Sequence, residues 1–251
     1  MPIPAIDKAA QVLGRLAETG EPMTFGQVAE SVSLPRSSLH DVCTSLAEVG
    51  LLERGSDGTF RLGLRLVELA RARLASSDLV STFRRVCRTA DIQETTVLAV
   101  LNGPEVVYVA FIDGGRPLAV RYQIGMRLPA TTTATGKSIL ATLPEREVEP
   151  LLDSGSAPLA DSDYRELVTE LEATRLRGFS IDDEKTAAGM VCFGAPVFDG
   201  TSDIACGAVA FSMVKTTALS TTECTQQIRE IADAVSRELG GTRQSRVSRA
   251  S

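Results

Sequence analysis

The segment LLERGSDGTFRLG, residues 51–63, constrains the fold of this chain more than any other. Leu51 and Leu52 enter one strand, Asp57-Gly58 supplies a tight turn, and Phe60 and Leu62 return on a second strand. Three short helices are expected ahead of it. Ile6, Ala9, Ala10, Leu13, Leu16 and Ala17 recur at intervals of three and four, a single helix face from Ile6 to Thr19 that Gly20 stops. Thr24 is a good N-cap for a helix over Phe25–Ser31 with Phe25, Val28 and Ala29 inward. Pro35 suits a first helical turn, and the third helix runs to about Glu48, burying Leu39, Val42, Cys43 and Leu46. Three helices and a hairpin make a winged helix-turn-helix over residues 1–62.

That topology places the third helix in a DNA major groove, with side chains near its start reaching base edges. The residues in that position are Arg36, Ser37, Ser38 and His40, followed by Asp41 and Thr44, all off the apolar stripe. Arg54 and Arg61 flank the tip of the wing, within reach of phosphates. A competing reading makes the same module a protein-interaction adaptor with a merely solvated polar face. Residues 1–75 hold eight Lys and Arg against nine Asp and Glu, so no general basic surface decides the matter.

Residues 63–76 continue as a linker helix with Leu66, Val67, Ala70 and Leu74 on one face. A second copy of the chain would cover that face; an ordinary connecting helix is the alternative. From Ser77 the pattern changes. Helices are expected over Ser81–Arg88, Gly136–Thr142, Glu145–Asp153, Tyr164–Arg177 and Thr221–Leu239. Strands are expected over Thr95–Leu101, Val106–Asp113, Leu118–Ile124, Phe179–Asp182, Met190–Val197 and Ile204–Val214. A largely antiparallel sheet with helices on its faces is an α+β domain over residues 77–240. Residues 241–251, with Arg243, Arg246 and Arg249 and no acid, read as a disordered basic tail.

Several classes of function fall away. Net charge is −6, against indiscriminate coating of nucleic acid. No apolar run approaches the ~20 residues of a membrane span, and the opening segment does not have the form of a signal peptide. The five cysteines form no C-x-x-C pair, as for reduced thiols in a cytoplasm. His40 is the single histidine, which removes the usual triads and most metal sites, and no cofactor is expected. Neither Cys192 nor Cys206 has a basic neighbour in sequence to activate it, so a thiol enzyme ranks last. The stretch TTTATGKS puts small residues ahead of a helix start, either an anion seat assisted by Lys137 or simply a capped helix.

The stretches AIDKAAQVL, LPRSSLH, GLLER and FRLGLRLVEL in the first half, then LPATTTATGKSILA and RGFSIDDEKTAAGMVCFGAPVFD, make the chain resemble the IclR-type bacterial transcriptional regulators. The likeness covers residues 4 to 215 in order. It implies a GAF-like effector-binding fold for the second half, assembly as a homodimer or tetramer, and a pseudo-palindromic double-stranded DNA operator. It further implies that a small-molecule effector meets the loop at Ala134, Thr135 and Gly136, with Asp182, Met190, Cys192 and Ser212 lining the pocket and Leu118 closing it. Read individually, Asp182 is equally a turn residue and Cys192 a buried core thiol. Where the family often has Arg or Lys after the recognition-helix histidine, this chain has Asp41, which either meets a cytosine amino group or faces away.

Overall fold

The computed structural model describes residues 3–241 apart from 76, 91, 116–117, 119, 155–159 and 217–220. The chain divides into two compact units, Met1–Ser76 and Ser77–Ser251. All but the first residue of the expected basic tail lies outside the described residues.

The first unit holds α1 (Pro4–Thr19), β1 (Met23–Thr24), α2 (Phe25–Ser31), α3 (Arg36–Glu48), β2 (Leu52–Arg54), β3 (Thr59–Leu62) and α4 (Arg65–Ala75). Gly20, with φ 70°, ends α1 in the left-handed conformation and donates its N–H to Leu16 O. Thr24 and Gln27 form a reciprocal capping box at the start of α2: each side chain accepts a hydrogen bond from the other's backbone N–H. Val12, Leu16, Val28, Leu39, Cys43, Leu46, Leu52 and Phe60 close into one core. The wing is a three-stranded antiparallel sheet in the order β1-β3-β2, one strand more than the hairpin expected. Met23 pairs opposite Phe60, so β1 ties the wing to the loop before α2.

The second unit holds α5 (Asp78–Thr89), β4 (Thr95–Asn102), β5 (Glu105–Ile112), β6 (Arg127–Pro129), α6 (Ala134–Leu140), α7 (Glu145–Asp153), α8 (Asp161–Arg177), β7 (Ser180–Asp183), β8 (Met190–Val197), β9 (Gly207–Val214) and α9 (Thr221–Glu238). The six strands form one antiparallel sheet in the order β6-β5-β4-β9-β8-β7, the α+β architecture expected. Alternation along β8 and β9 sends Cys192, Gly194, Ala210 and Ser212 to one face, and Phe193, Phe211 and Met213 to the other. Helix α6 lies on the first face and α9 on the second, where Cys224 Sγ sits 3.9 Å from Met213 Sδ.

Two expectations need correction. Leu118 and residues 120–124 form no strand. The chain instead turns at Gln123–Met126 around Gly125, with φ 88°, and pairs with β5 only from there, through Gly125 N–H to Tyr108 O at 2.8 Å and Tyr108 N–H to Met126 O at 2.9 Å. The alternation that imitates a strand serves to turn Tyr122 inward. Helix α6 begins at Ala134 rather than Gly136, because Thr133 takes the cap: its Oγ1 accepts the Gly136 N–H at 3.1 Å. Ala134, Thr135 and Gly136 are therefore the first turn of a buried helix and not a loop.

Candidate functional site

The sequence points to two surfaces, one on each unit. On the first unit α3 buries Leu39, Cys43 and Leu46 and leaves Arg36, Ser37, His40, Asp41 and Thr44 exposed. Ser38 differs: it is half-buried, and its hydroxyl accepts a hydrogen bond from Lys8 Nζ of α1 at 3.2 Å. Ser38 thus joins α3 to α1, and Lys8, which sequence reasoning passed over, stands beside the start of α3. The His40 ring meets Phe25 edge-on with centroids 6.4 Å apart, which orients the imidazole against α2.

The wing arginines are not equivalent. Arg54 places its guanidinium 5.8 Å from the centroid of the Phe60 ring, stacked on the strand and exposed. Arg61 pairs with Glu53 on the neighbouring strand at 2.7 Å, and Arg61 together with the Leu64 N–H holds the Glu53 carboxyl below its ordinary range. At the tip, Thr59 donates to Asp57 Oδ1 through both its hydroxyl and its N–H, which lowers the Asp57 carboxyl and fixes the turn. Helix α4 buries none of its residues within its own unit, and Leu64, Val67 and Leu69 stand in solvent.

On the second unit the register brings most of the expected effector residues together. Asp182 pairs opposite Cys192, Cys192 opposite Ser212, and Ser212 opposite Thr95, so these side chains form one row across β7, β8, β9 and β4 on the α6 face. Met190, two residues along β8 from Cys192, shares that face. Helix α6 approaches so closely that a Cβ on Gly194 would lie 2.7 Å from Ala134 O, and one on Gly136 would lie 2.2 Å from Ala130 O. Both positions require glycine for this contact. Leu118 packs against the same apolar cluster from its edge.

The row is closed and already occupied by the chain itself. Asp182 is 3% exposed, and its Oδ1 accepts the N–H groups of Lys185 at 3.0 Å and Thr186 at 3.2 Å, which ties down the turn between β7 and β8. Tyr122 lies over Ser212, the two hydroxyls 2.9 Å apart, with Cys192 Sγ 3.3 Å from Ser212 Oγ. The Tyr122 ring leans on Tyr108 at a centroid distance of 5.0 Å. Burial pushes both phenols well above their ordinary range and raises the Cys192 thiol to about 11. A thiol so raised is a poor nucleophile at neutral pH.

Lys137 is buried beside this row. Its ammonium donates to Ile181 O and lies 3.9 Å from Glu170, which also pairs with Arg177. Desolvation lowers the Lys137 pKa, opposed by the negative charges of Glu170 and Asp182. Two hydroxyls here, Thr135 Oγ1 and Thr186 Oγ1, are buried and make no hydrogen bond of ordinary geometry, although Thr135 stands near enough to the Tyr108 phenol to oppose the upward push of burial on it. Among the described residues no group of His, Cys, Asp and Glu is placed to hold a metal ion. No described helix is long and apolar enough to cross a membrane.

Comparison with known proteins accounts for both halves. Residues 5–56 match the IclR helix-turn-helix domain, and residues 72–237 match the Bacterial transcriptional regulator IclR C-terminal domain. The HTH-type transcriptional regulator XynR of Escherichia coli (strain K12) is 28% identical over 209 residues, covering 80% of this chain and 83% of that protein. The structure of the Agobacterium tumefaciens repressor BlcR is 33% identical with a TM-score of 0.58, covering 96% of this chain and 98% of that one. A homologue from Microbacterium hydrocarbonoxydans, crystallised with 4-hydroxybenzoate, shares the fold at 24% identity, with a TM-score of 0.73 and coverage of 92% and 99%.

Proposed function

This chain belongs to the IclR family of bacterial transcriptional regulators, and from that membership we propose that it binds an operator through α3 and the wing, under the control of a small organic acid. The observation that carries the DNA reading is the division of α3. Its inner face is sealed into the core, while Arg36, Ser37, His40, Asp41 and Thr44 face solvent, with only the His40 ring leaning on Phe25. Arg54 supplies a backbone contact from the wing, and Arg61 supplies another once it releases Glu53. Salt-dependent retardation of the duplex upstream of its own gene tests this, and retention of a partner protein with no affinity for DNA would favour the adaptor.

Operator symmetry follows from assembly. The apolar side of α4, uncovered within its own unit, supports packing against a second copy, so that two α3 helices address two half-sites. Fully burying each exposed Val or Leu there would contribute about 1.5–3 kcal/mol.

The effector is assigned to the row of Asp182, Cys192 and Ser212 under the first turn of α6, with Met190 and Leu118 against its apolar part. Lys137 supports an acidic ligand, since a carboxylate near it would offset the desolvation of its ammonium. Tyr122 stands in the way. A ligand that reaches Ser212 has to take over the hydroxyl contact that Tyr122 now makes. 4-Hydroxybenzoate, the compound bound by the Microbacterium homologue, carries both a carboxylate and a phenol and is the first probe to try. Such a ligand alters DNA affinity only by binding one arrangement of the protein better than another.

A further inference from the structure

We propose that Asp41 reads a cytosine in the operator, so that the carboxylate on α3 serves as a base-selecting group; the inference rests on the DNA-binding reading of α3 given above. At 100° per residue, Asp41 lies roughly 165° from the mean direction of the buried Leu39, Cys43 and Leu46. It therefore sits near the middle of the exposed arc, flanked by Ser37 on one side and Ser45 on the other, while Arg36 lies towards one edge. A residue at the edge of a recognition helix meets the phosphate walls of the groove, whereas one at the middle meets the base edges on its floor. The Asp41 side chain is 85% exposed, and the one nitrogen-bearing side chain placed against it among the described residues is His40, with Nδ1 at 3.9 Å. No lysine or arginine of α3 or the wing neutralises it, although Arg15, Arg61 and Arg65 of the same unit each have a carboxylate partner.

An unneutralised carboxylate in a polyanionic groove is tolerated where it accepts a hydrogen bond. The bases differ sharply in what they offer there. Guanine presents two acceptors, thymine an acceptor and a methyl group, and adenine an amino group flanked by the N7 acceptor. All three set a lone pair or a methyl against the carboxylate. Cytosine alone presents its N4 amino group with no acceptor on the same base. Asp41 thus meets repelling lone pairs on guanine, a lone pair and a methyl on thymine and a mixed edge on adenine, and accepts a hydrogen bond cleanly from cytosine, which is a more selective arrangement than attraction alone.

Selection of bound duplexes from a randomised library by the full-length protein tests this, followed by affinity measurements on the enriched motif. Wild type should enrich cytosine at one position in each half-site, preferred roughly 5- to 150-fold over the other bases, the range for one good base contact. Asp41→Asn keeps the size of the side chain but supplies a donor beside the acceptor, so it should shift that single position to adenine. Asp41→Ala should lose preference there and leave the remaining positions unchanged. Arg36→Ala should alter a different position or none. Thermal unfolding of each variant checks that this exposed substitution leaves the fold alone. The proposal is overturned if both Asp41 variants enrich the wild-type motif unaltered while binding every duplex more tightly, because Asp41 then only repels phosphate. If wild type enriches no motif at all, the DNA-binding reading fails together with it.

Discussion

The hydroxyls of Tyr122 and Ser212 lie 2.9 Å apart, joining an irregular segment after β5 to the centre of the row that is expected to receive an effector. Both side chains are buried, and Ser212 also contacts Cys192. Tyr122→Phe removes the hydrogen bond to Ser212 and the weak contact with Cys192 Sγ at 4.0 Å and keeps the ring against Tyr108, so the cost to stability should be about 1 kcal/mol. Tyr122→Ala removes the ring as well and should cost about 3–5 kcal/mol, the range for deleting a buried aromatic side chain. With 4-hydroxybenzoate as probe, Tyr122→Phe should bind more tightly than wild type by calorimetry, since less has to be displaced. Equal or weaker binding would place the ligand away from Ser212.

Asp182 is the second point of test, because its carboxylate already serves the protein. Asp182→Ala strands the N–H groups of Lys185 and Thr186 and should lower stability by about 3 kcal/mol. Asp182→Asn retains an acceptor for them and removes the charge. The Asn variant should melt close to wild type yet bind a hydroxylated acid with altered affinity, while operator affinity without ligand is unchanged. If the Asn variant binds such a ligand as wild type does, Asp182 is a loop anchor and nothing more.

Much of this arrangement was legible in the sequence, and the gaps have physical causes. Helices α1 to α3 were read because each begins or ends on a residue with one conformational use: Gly20 at a left-handed C-cap, Thr24 in a capping box, Pro35 before a first turn. The row of Asp182, Cys192 and Ser212 followed from family resemblance, and the register then set the three side by side. Strand β1 was missed because two residues carry no period. Tyr122 was missed because its partner lies 90 residues away, while its own neighbours alternate like a strand. The burial of Lys137 was also unannounced, since lysine is ordinarily solvated and only the approach of Ile181 and Glu170 encloses it.

The wing arginines should separate in measurements against salt. Arg54→Ala should weaken binding to all duplexes alike and reduce the salt slope by about 1. Arg36→Ala should cost about 1–3 kcal/mol on the operator if it contacts a base. Arg61→Ala has a second consequence, because Glu53 loses the guanidinium 2.7 Å away and turns an unpaired charge towards the backbone. The double variant Arg61→Ala, Glu53→Ala should therefore recover part of the loss. No recovery would show Arg61 itself on a phosphate.

Assembly and operator affinity should fall together when the side of α4 is charged. Val67 is 64% exposed, so Val67→Glu costs the fold of its unit little. Combined with Leu74→Glu it should shift sedimentation towards monomer and weaken binding to a full operator far more than to a half-site. A monomer that binds the full operator as tightly as wild type would rule out dimerisation through α4.

Alkylation gives a reading of Cys192 that depends on pH. Burial raises its thiol from 9.0 to about 11, so the native protein favours the protonated form. The sign follows directly. Below pH 9 the thiol is neutral in both folded and unfolded chains and contributes no change with pH, whereas from pH 9 towards 11 the unfolded chain ionises first and the stability contribution is lost. At pH 8, labelling of the Cys192 peptide by iodoacetamide should be no faster than global unfolding. Rapid labelling of the folded protein would mean an activated thiolate and would revive a catalytic reading.

Thr135 offers the sharpest test of whether the row receives a ligand, because stability and binding should move in opposite directions. Its Oγ1 is buried without a hydrogen bond, and such a group costs about 1–3 kcal/mol of desolvation. Thr135→Val keeps the shape and removes the hydroxyl. If the site is purely structural, the only effect is relief of that penalty, and the melting temperature rises by a few degrees for a unit of this size. If the hydroxyl is reserved for an effector, the same variant should also lose about 0.5–1.5 kcal/mol of binding, or more where the ligand atom is charged. A variant that is both more stable and weaker in calorimetry with 4-hydroxybenzoate identifies Thr135 as a ligand contact held open at a cost to the fold. A rise in stability with undiminished binding would remove Thr135 from the site and leave its orphan hydroxyl a packing defect.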